Sequence, residues 1–242
     1  MVEKRVKTGI LGLDKLLKGG LLPGRSILLS GPCGSGKSTL AIQFLHHGAT
    51  KNNENGLYIN LEEERSRIIE NMQKMSLDLA PLEKKDKIKI IGGQIAGIDD
   101  YMYKIGADVY NIVNEIEEIV KQNNIKRVVI DSINLLTMLC RTEEERRKLL
   151  TRLTHKLSNL DCTSILISEV KENTTNLSRF GIEEFVVDGV IGLYLLRSGD
   201  RFIPGITVRK MRGSDHDRNI RLYKITSKGV EVYPNETLFT DI

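Results

Sequence analysis

Short apolar blocks rich in β-branched residues recur along the chain, separated by longer segments with helical periodicity. The blocks are SILLS (26–30), GLYINL (56–61), KIKII (87–91), RVVID (127–131) and TSILIS (163–168). Each is almost uninterrupted, as expected of strands covered on both faces of a parallel sheet; a strand with one wet face would alternate. Val109, Ile112, Val113, Ile116 and Val120 recur at the spacing of one helical face. Thr142 and Glu145 form a T-x-x-E capping box ahead of Leu149, Leu150, Leu153 and Leu157, which predicts a helix starting there. Strand and helix in alternation predict an α/β fold with a central, mostly parallel sheet, right-handed crossovers and flanking helices. The last quarter differs. VVDGVIGLYLLRSGDRFIPGITVRKMRGS and IRLYKITSKGVEVYP read as strands joined by Ser-Gly-Asp and Ser-Lys-Gly turns, a C-terminal extension of antiparallel hairpins. Between the two regimes, KENTTNLSRFG (171–181) is polar and turn-rich, which predicts a mobile loop.

The 242 residues contain no internal repeat and no Pro/Ser-rich linker, so one domain over 1–242 is expected. A hydrophobic fraction of 40% excludes a disordered chain. No apolar run reaches the ~18 residues of a membrane span, and the opening MVEKRVKTGI lacks the apolar core of a signal peptide. Cys33, Cys140 and Cys162 are far apart with no CxxC pair, which argues against a disulfide or zinc framework and for a reducing, cytoplasmic setting. The net charge of +4 is small for a dedicated duplex-DNA binder. Its placement is uneven: Arg201, Arg209, Lys210, Arg212, Arg218, Arg221 and Lys224 crowd one stretch against Asp215 and Asp217. Either an anionic group meets that stretch or it is a solvated strand face.

The chemistry begins at Gly31-Pro32-Cys33-Gly34-Ser35-Gly36-Lys37-Ser38, which fits G-x-x-x-x-G-K-[ST] at every fixed position. Glycines let the backbone wrap closely around phosphate oxygens with N–H groups pointing inward. Lys37 would place positive charge on the β- and γ-phosphates, and the Ser38 hydroxyl would ligate Mg²⁺. A chain of this length shows such a pattern by chance about once in a hundred. SILLS before the loop reads as a strand, and STLAIQFLHHGA after it as a helix that includes Thr39 in its first turn. Strand, loop and helix together are the context the motif requires, and the helix adds its positive dipole end. Cys33 lies inside the turn, which raises redox control as one reading; the plainer one is that a small side chain fits there.

RVVID ends in Asp131, and a carboxylate at a strand tip beside the P-loop strand can hold Mg²⁺. GLYINL ends in Leu61-Glu62-Glu63. A carboxylate there could orient and polarise a hydrolytic water; equally, Glu62 and Glu63 could decorate the first turn of the next helix.

At these residues the sequence resembles the KaiC family of RecA-like ATPases, from Thr8 to Pro234. The resemblance rests on TGILGLDKLLKGGLLPG, GLYINLEEE, RVVIDS, SRFGIEEFVVDGV and KMRGSDHD. It implies a RecA-like P-loop fold, Glu62 and Glu63 as the water-activating pair, and Asp131 at the magnesium. It further implies that Lys210 and Arg212 reach the γ-phosphate of a neighbouring subunit, with His216 and Arg218 lining the nucleotide. The implied activity is slow, Mg²⁺-dependent ATP hydrolysis between subunits of a ring-like homo-oligomer, a hexamer by preference, whose output is conformational change read by a protein partner. Two departures limit the transfer. The cyanobacterial clock protein for which the family is named has two such domains in tandem, whereas this chain is long enough for only one, and Glu184-Phe185 stands where its kinase-type domain carries Ser and Thr acceptors, so neither clock function nor autophosphorylation follows. A recombinase-like, DNA-stimulated ATPase would need basic and aromatic contacts in 171–181, where only Lys171, Arg179 and Phe180 qualify. A non-hydrolysing, nucleotide-dependent interaction switch is the third reading, against which the paired glutamates argue.

Overall fold

The computed structural model describes residues 4–92, 109–172, 174 and 176–238. The five predicted blocks are strands: β1 (Ser26–Gly31), β2 (Asn55–Asn60), β3 (Ile88–Gly92), β4 (Ile125–Asp131) and β5 (Thr163–Glu169). Four more follow, β6 (Gly189–Ser198), β7 (Arg201–Met211), β8 (Arg221–Thr226) and β9 (Gly229–Thr237). The helices are α1 (Leu13–Leu16), α2 (Lys37–Lys51), α3 (Arg65–Gln73), α4 (Ala80–Lys84), α5 (Val109–Gln122), α6 (Ile133–Met138), α7 (Glu143–Asn159) and α8 (Glu183–Val186).

Among the described residues the nine strands join one sheet in the order β3-β2-β4-β5-β1-β6-β7-β8-β9. From β3 to β6 neighbours run parallel, and from β6 onward they are antiparallel. The expected hairpin extension is present, with one addition: β6 first docks on β1 in parallel before the chain turns back.

Strand alternation divides the core. Ile27, Leu29, Tyr58, Val129, Ile165 and Ile167 face the layer of α1, α2 and α3, packing with Leu40, Phe44, Leu45 and Ile68. Leu28, Leu57, Ile59, Val128, Ile130 and Leu166 face the layer of α5, α6 and α7, packing with Ile112, Ile116, Leu149 and Leu153. Because both faces of the central strands are covered, their blocks carry no polar alternation. The capping box of α7 forms as expected: Thr142 Oγ1 accepts from the Glu145 N–H at 3.1 Å, and the Thr142 N–H donates to Glu145 Oε2 at 3.3 Å. Of the loop expected over 171–181, Asn173 and Thr175 lie outside the described residues.

Arg127 near the start of β4 is 1% exposed, and no sequence pattern marks it as a core residue. Its Nε donates to Glu54 Oε2 at 2.6 Å, and its Nη1 donates to the carbonyls of Lys7 and Phe44 at 2.9 and 2.8 Å. The guanidinium also stacks 4.6 Å from the Phe44 ring centroid. One side chain therefore ties the N-terminal segment, α2 and the α2–β2 turn to the sheet. Arg127→Met is expected to cost about 3–5 kcal/mol, because it strips a buried pair of one partner and bares two carbonyls. Urea denaturation measures this, and Glu54→Gln should cost less because Glu54 keeps contact with water.

Candidate functional site

The carboxyl ends of β1, β5, β4 and β2 stand side by side, and the chain leaving β1 skips two strands to enter β2. Such a crossover opens a crevice at the strand tips, the place where open α/β sheets bind ligands. Four segments enter it.

The first is the glycine-rich turn after β1. Gly34 and Gly36 have φ of +76° and +81°, which L side chains rarely adopt. A Cβ on Gly36 would also come within 2.7 Å of Ile225 Cδ1. Ser35 is fully buried: its hydroxyl donates to the Pro32 carbonyl at 2.7 Å, and its own carbonyl accepts from Tyr223 Oη at 2.6 Å. Internal bonds thus set the curvature of the turn. α2 follows directly and points its amino end at the crevice. Lys37 Nζ donates to the Pro32 carbonyl at 2.7 Å and lies 3.9 Å from Glu169 Oε1. Burial pushes its pKa down, while the Glu169 and Asp131 carboxylates oppose that shift.

At the β4 tip, Asp131 Oδ2 accepts from Ser38 Oγ at 2.6 Å and from Tyr58 Oη at 2.7 Å. Burial pushes the Asp131 carboxyl up, and these two hydrogen bonds pull it back. A hydroxyl touching a carboxylate is a pair of hard oxygen donors, which suits Mg²⁺ completed by water and phosphate oxygens. Among the described residues no cluster of three or more His, Cys, Asp or Glu could cage a metal by itself. The Ser38–Asp131 pair, two hard oxygen donors on the cavity wall, fits a metal shared with a substrate.

At the β2 tip, Asn60 Oδ1 accepts from the N–H groups of Glu62 and Glu63 at 2.8 and 2.6 Å, which fixes the turn carrying both glutamates. Their carboxylates then part. Glu62 Oε1 lies 3.4 Å from Ser132 Oγ, toward Asp131, whereas Glu63 Oε1 accepts from Asn71 Nδ2 of α3 at 2.9 Å. Both still line a cavity of about 430 Å³ shared with Cys33, Lys37, Ser38, Thr39, Asp131, Glu169 and Ile225.

The structure thus brings Gly31–Thr39, Glu62, Glu63 and Asp131 together. It corrects one point: the strand of Asp131 is not beside the P-loop strand, because β5 lies between them. Ser38 bridges that gap from α2, and β5 contributes Glu169. Glu169 was legible as an acidic residue ending an apolar block, the same signal that marked Asp131. Tyr58 and Asn60 sit within a block read only for its apolarity. Ile225 reaches the cavity from a distant hairpin and leaves no sequence signal.

Lys210, Arg212, His216 and Arg218 are not at the cradle. Met211 pairs with Gly189, which pairs with Ile27, so Lys210 and Arg212 lie level with the start of β1, at the end opposite Gly31. With Arg209 and Arg218 they line a separate groove of about 560 Å³. Burial and the neighbouring Arg212 push the Lys210 pKa down. His216 Nδ1 is 3.3 Å from the Ser214 carbonyl, and its buried Nε2 has no hydrogen-bond partner among the described residues. No helix among the described residues is long and apolar enough to cross a membrane.

Strand, glycine-rich turn and helix, with an acidic tip two strands away, define a P-loop nucleotide-binding protein of RecA-like fold. A family model described as ATPase: KaiC matches residues 6–237, and the chain belongs to that family. It is 35% identical to a UPF0273 protein of Thermotoga maritima over 96% of this chain and 97% of that protein. It is 32% identical to the circadian clock oscillator protein KaiC of a Picosynechococcus species, covering 96% of this chain but 45% of that protein. A KaiC-like protein of Pyrococcus horikoshii, known from its crystal structure, superposes with a TM-score of 0.83 at 35% identity, over 96% of this chain and 99% of that one.

Proposed function

We propose that this chain, as one domain, binds ATP with Mg²⁺ in the crevice and hydrolyses it slowly at the interfaces of a ring-like homo-oligomer, a hexamer by preference. One observation carries the reading: Ser38 and Asp131 meet at 2.6 Å on the wall of a cavity that also receives Lys37 and Glu62. Ser38 and Asp131 would hold Mg²⁺, which neutralises phosphate charge when bound. Lys37 and the amides of the turn grip the triphosphate. Glu62 orients a water and takes its proton as the new O–P bond forms, while the bond to the β-phosphate oxygen breaks and ADP leaves. Glu63, tethered to Asn71, supports the turn and remains within the same cavity. Ile225 offers an apolar seat near the mouth for the base.

Lys210 and Arg212 cannot serve the cradle of their own chain, since they lie at the other end of the strands. A groove rich in cations on one end of a subunit and an anion cradle on the other suit a head-to-tail interface, the kind that closes into rings. In that arrangement Lys210 and Arg212 act in trans, with His216 and Arg218 beside the neighbour's nucleotide. The nucleic-acid reading loses support at Phe180, one face of whose ring is already occupied by the Arg146 guanidinium at 4.5 Å.

Light-scattering mass and phosphate release, each with and without ATP and Mg²⁺, test the proposal together. The expected result is assembly to a multiple of one chain's mass and phosphate release that stops with EDTA and ignores single-stranded DNA. Equal release from a strict monomer would remove the trans roles.

A further inference from the structure

Lys210 and Arg212 are held largely by the main chain of one short segment. Lys210 Nζ donates to the carbonyls of Glu184 and Val187 at 2.7 and 2.6 Å, and Arg212 Nη2 donates to that of Phe185 at 3.1 Å. Carbonyls can hold a cation in place only if the backbone bearing them is itself fixed. The fixing group is Glu183, whose side chain is fully buried (0% exposed). Its carboxylate accepts from Ser178 Oγ at 2.7 Å, from the Ile182 N–H at 3.1 Å and from the Phe180 N–H at 3.3 Å. Ser178 Oγ in turn accepts from the Gly181 N–H at 3.2 Å. The residue after Ser178 anchors to the nucleotide side of the sheet, where the Arg179 N–H donates to Ser168 Oγ at the β5 tip at 3.2 Å. A buried carboxylate is costly unless its acceptors are filled; here the Phe180 and Ile182 N–H groups of the loop fill them, together with a Ser178 hydroxyl that Glu183 shares with Glu184 Oε2.

We infer that Glu183 is a positioning residue: its carboxylate sets the backbone of 178–187, whose carbonyls hold Lys210 and Arg212 in the pose that reaches the neighbouring subunit's nucleotide. The inference rests on the trans reading above. Glutamine can set its oxygen where Oε2 stands, but that oxygen is neutral and accepts more weakly, and its NH₂ group then faces the Phe180 N–H that Oε1 accepts at 3.3 Å, so the loop loosens.

Glu183→Gln is expected to lower kcat by about 10- to 100-fold, the cost of displacing a catalytic group by a fraction of an ångström to about one. MgATP affinity, set by the chain's own cradle, should stay within about twofold. Mixing separates the two ideas. Lys37→Ala chains lack a working cradle but present intact Lys210 and Arg212; Glu183→Gln chains are the reverse. An equal mixture should recover about a quarter of the wild-type rate, since one interface in four pairs a sound cradle with sound fingers. Wild-type kcat in Glu183→Gln, or a slow variant that mixing does not rescue, overturns the role of Glu183. A parallel mixture of Lys210→Ala with Lys37→Ala tests the underlying reading: no recovery there refutes the trans arrangement, whereas recovery with a wild-type Glu183→Gln refutes Glu183 alone. If Glu183→Gln does not assemble, Ser178→Ala carries the same test, with a several-fold loss of kcat rescued by mixing as the expected result and wild-type kcat as the refutation.

Discussion

Lys37→Ala is expected to weaken ATP binding by about 2–5 kcal/mol, as when one member of a buried charge pair is removed. Residual turnover should fall by a further 10²–10³-fold, because the lysine also meets charge that grows in the transition state. The size of the effect follows from where the ammonium sits. It is nearly buried, at the amino end of a 15-residue helix, and among the described residues the one anion within salt-bridge distance is Glu169, a side chain that remains 44% exposed. A partner so weakly held is readily exchanged for phosphate. The same geometry implies that the fold does not depend on Lys37. Its burial costs free energy that the long contact with Glu169 offsets only in part, so the alanine variant should unfold within about 1 kcal/mol of wild type. Titration calorimetry with MgATP and urea denaturation on the same preparation check both halves. Wild-type affinity in a folded Lys37→Ala protein would show that the glycine-rich turn is not the phosphate site. Arginine is not expected to rescue, since its planar fork differs from an ammonium in size and shape and the cradle is closed around Nζ by the Pro32 carbonyl.

The parallel half of the sheet was legible because burial on both faces of β1, β2, β4 and β5 leaves blocks that are mostly apolar and show no regular polar alternation. The order of those blocks was not. The coupling of Asp131 to the glycine-rich turn suggests that its strand neighbours the strand of Ser30, yet β5, the last of the five, inserts between them. Long-range pairing is decided by crossover geometry, which no local pattern records. The same distinction runs through the site. Residues of the glycine-rich turn announce themselves because the chemistry needs them consecutive. Tyr58 and Asn60 do not, since they act through hydrogen bonds to Asp131 and to the Glu62 and Glu63 amides, and their partners are known only once the strands are ordered. Arg127 is the clearest case. A charged residue at the start of a strand reads as a solvated end, and only the convergence of Lys7, Phe44 and Glu54 upon it makes its burial affordable.

Glu62→Gln is expected to lower kcat by about 10²–10⁴-fold, the usual contribution of a general base, while MgATP affinity stays within a few fold. Glutamine preserves the shape and can still meet Ser132, but it cannot take a proton from water. Glu63→Gln is expected to cost far less, at most about tenfold. Its carboxylate is already committed to Asn71 on α3, 2.9 Å away, and an amide oxygen can accept that same hydrogen bond. The two glutamates share a turn and a cavity, so sequence alone makes them equivalent; their partners make them different. Asn60 turns both amides toward one acceptor, and the chain then sends Glu62 toward Ser132 and Asp131 and Glu63 toward the helix. Single-turnover phosphate release from each variant, set beside its nucleotide affinity, reads this asymmetry directly. Equal losses would mean that the pair acts as a unit once nucleotide is bound. A larger loss from Glu63 would mean that α3 moves to release it, and the assignment of the base would pass to Glu63.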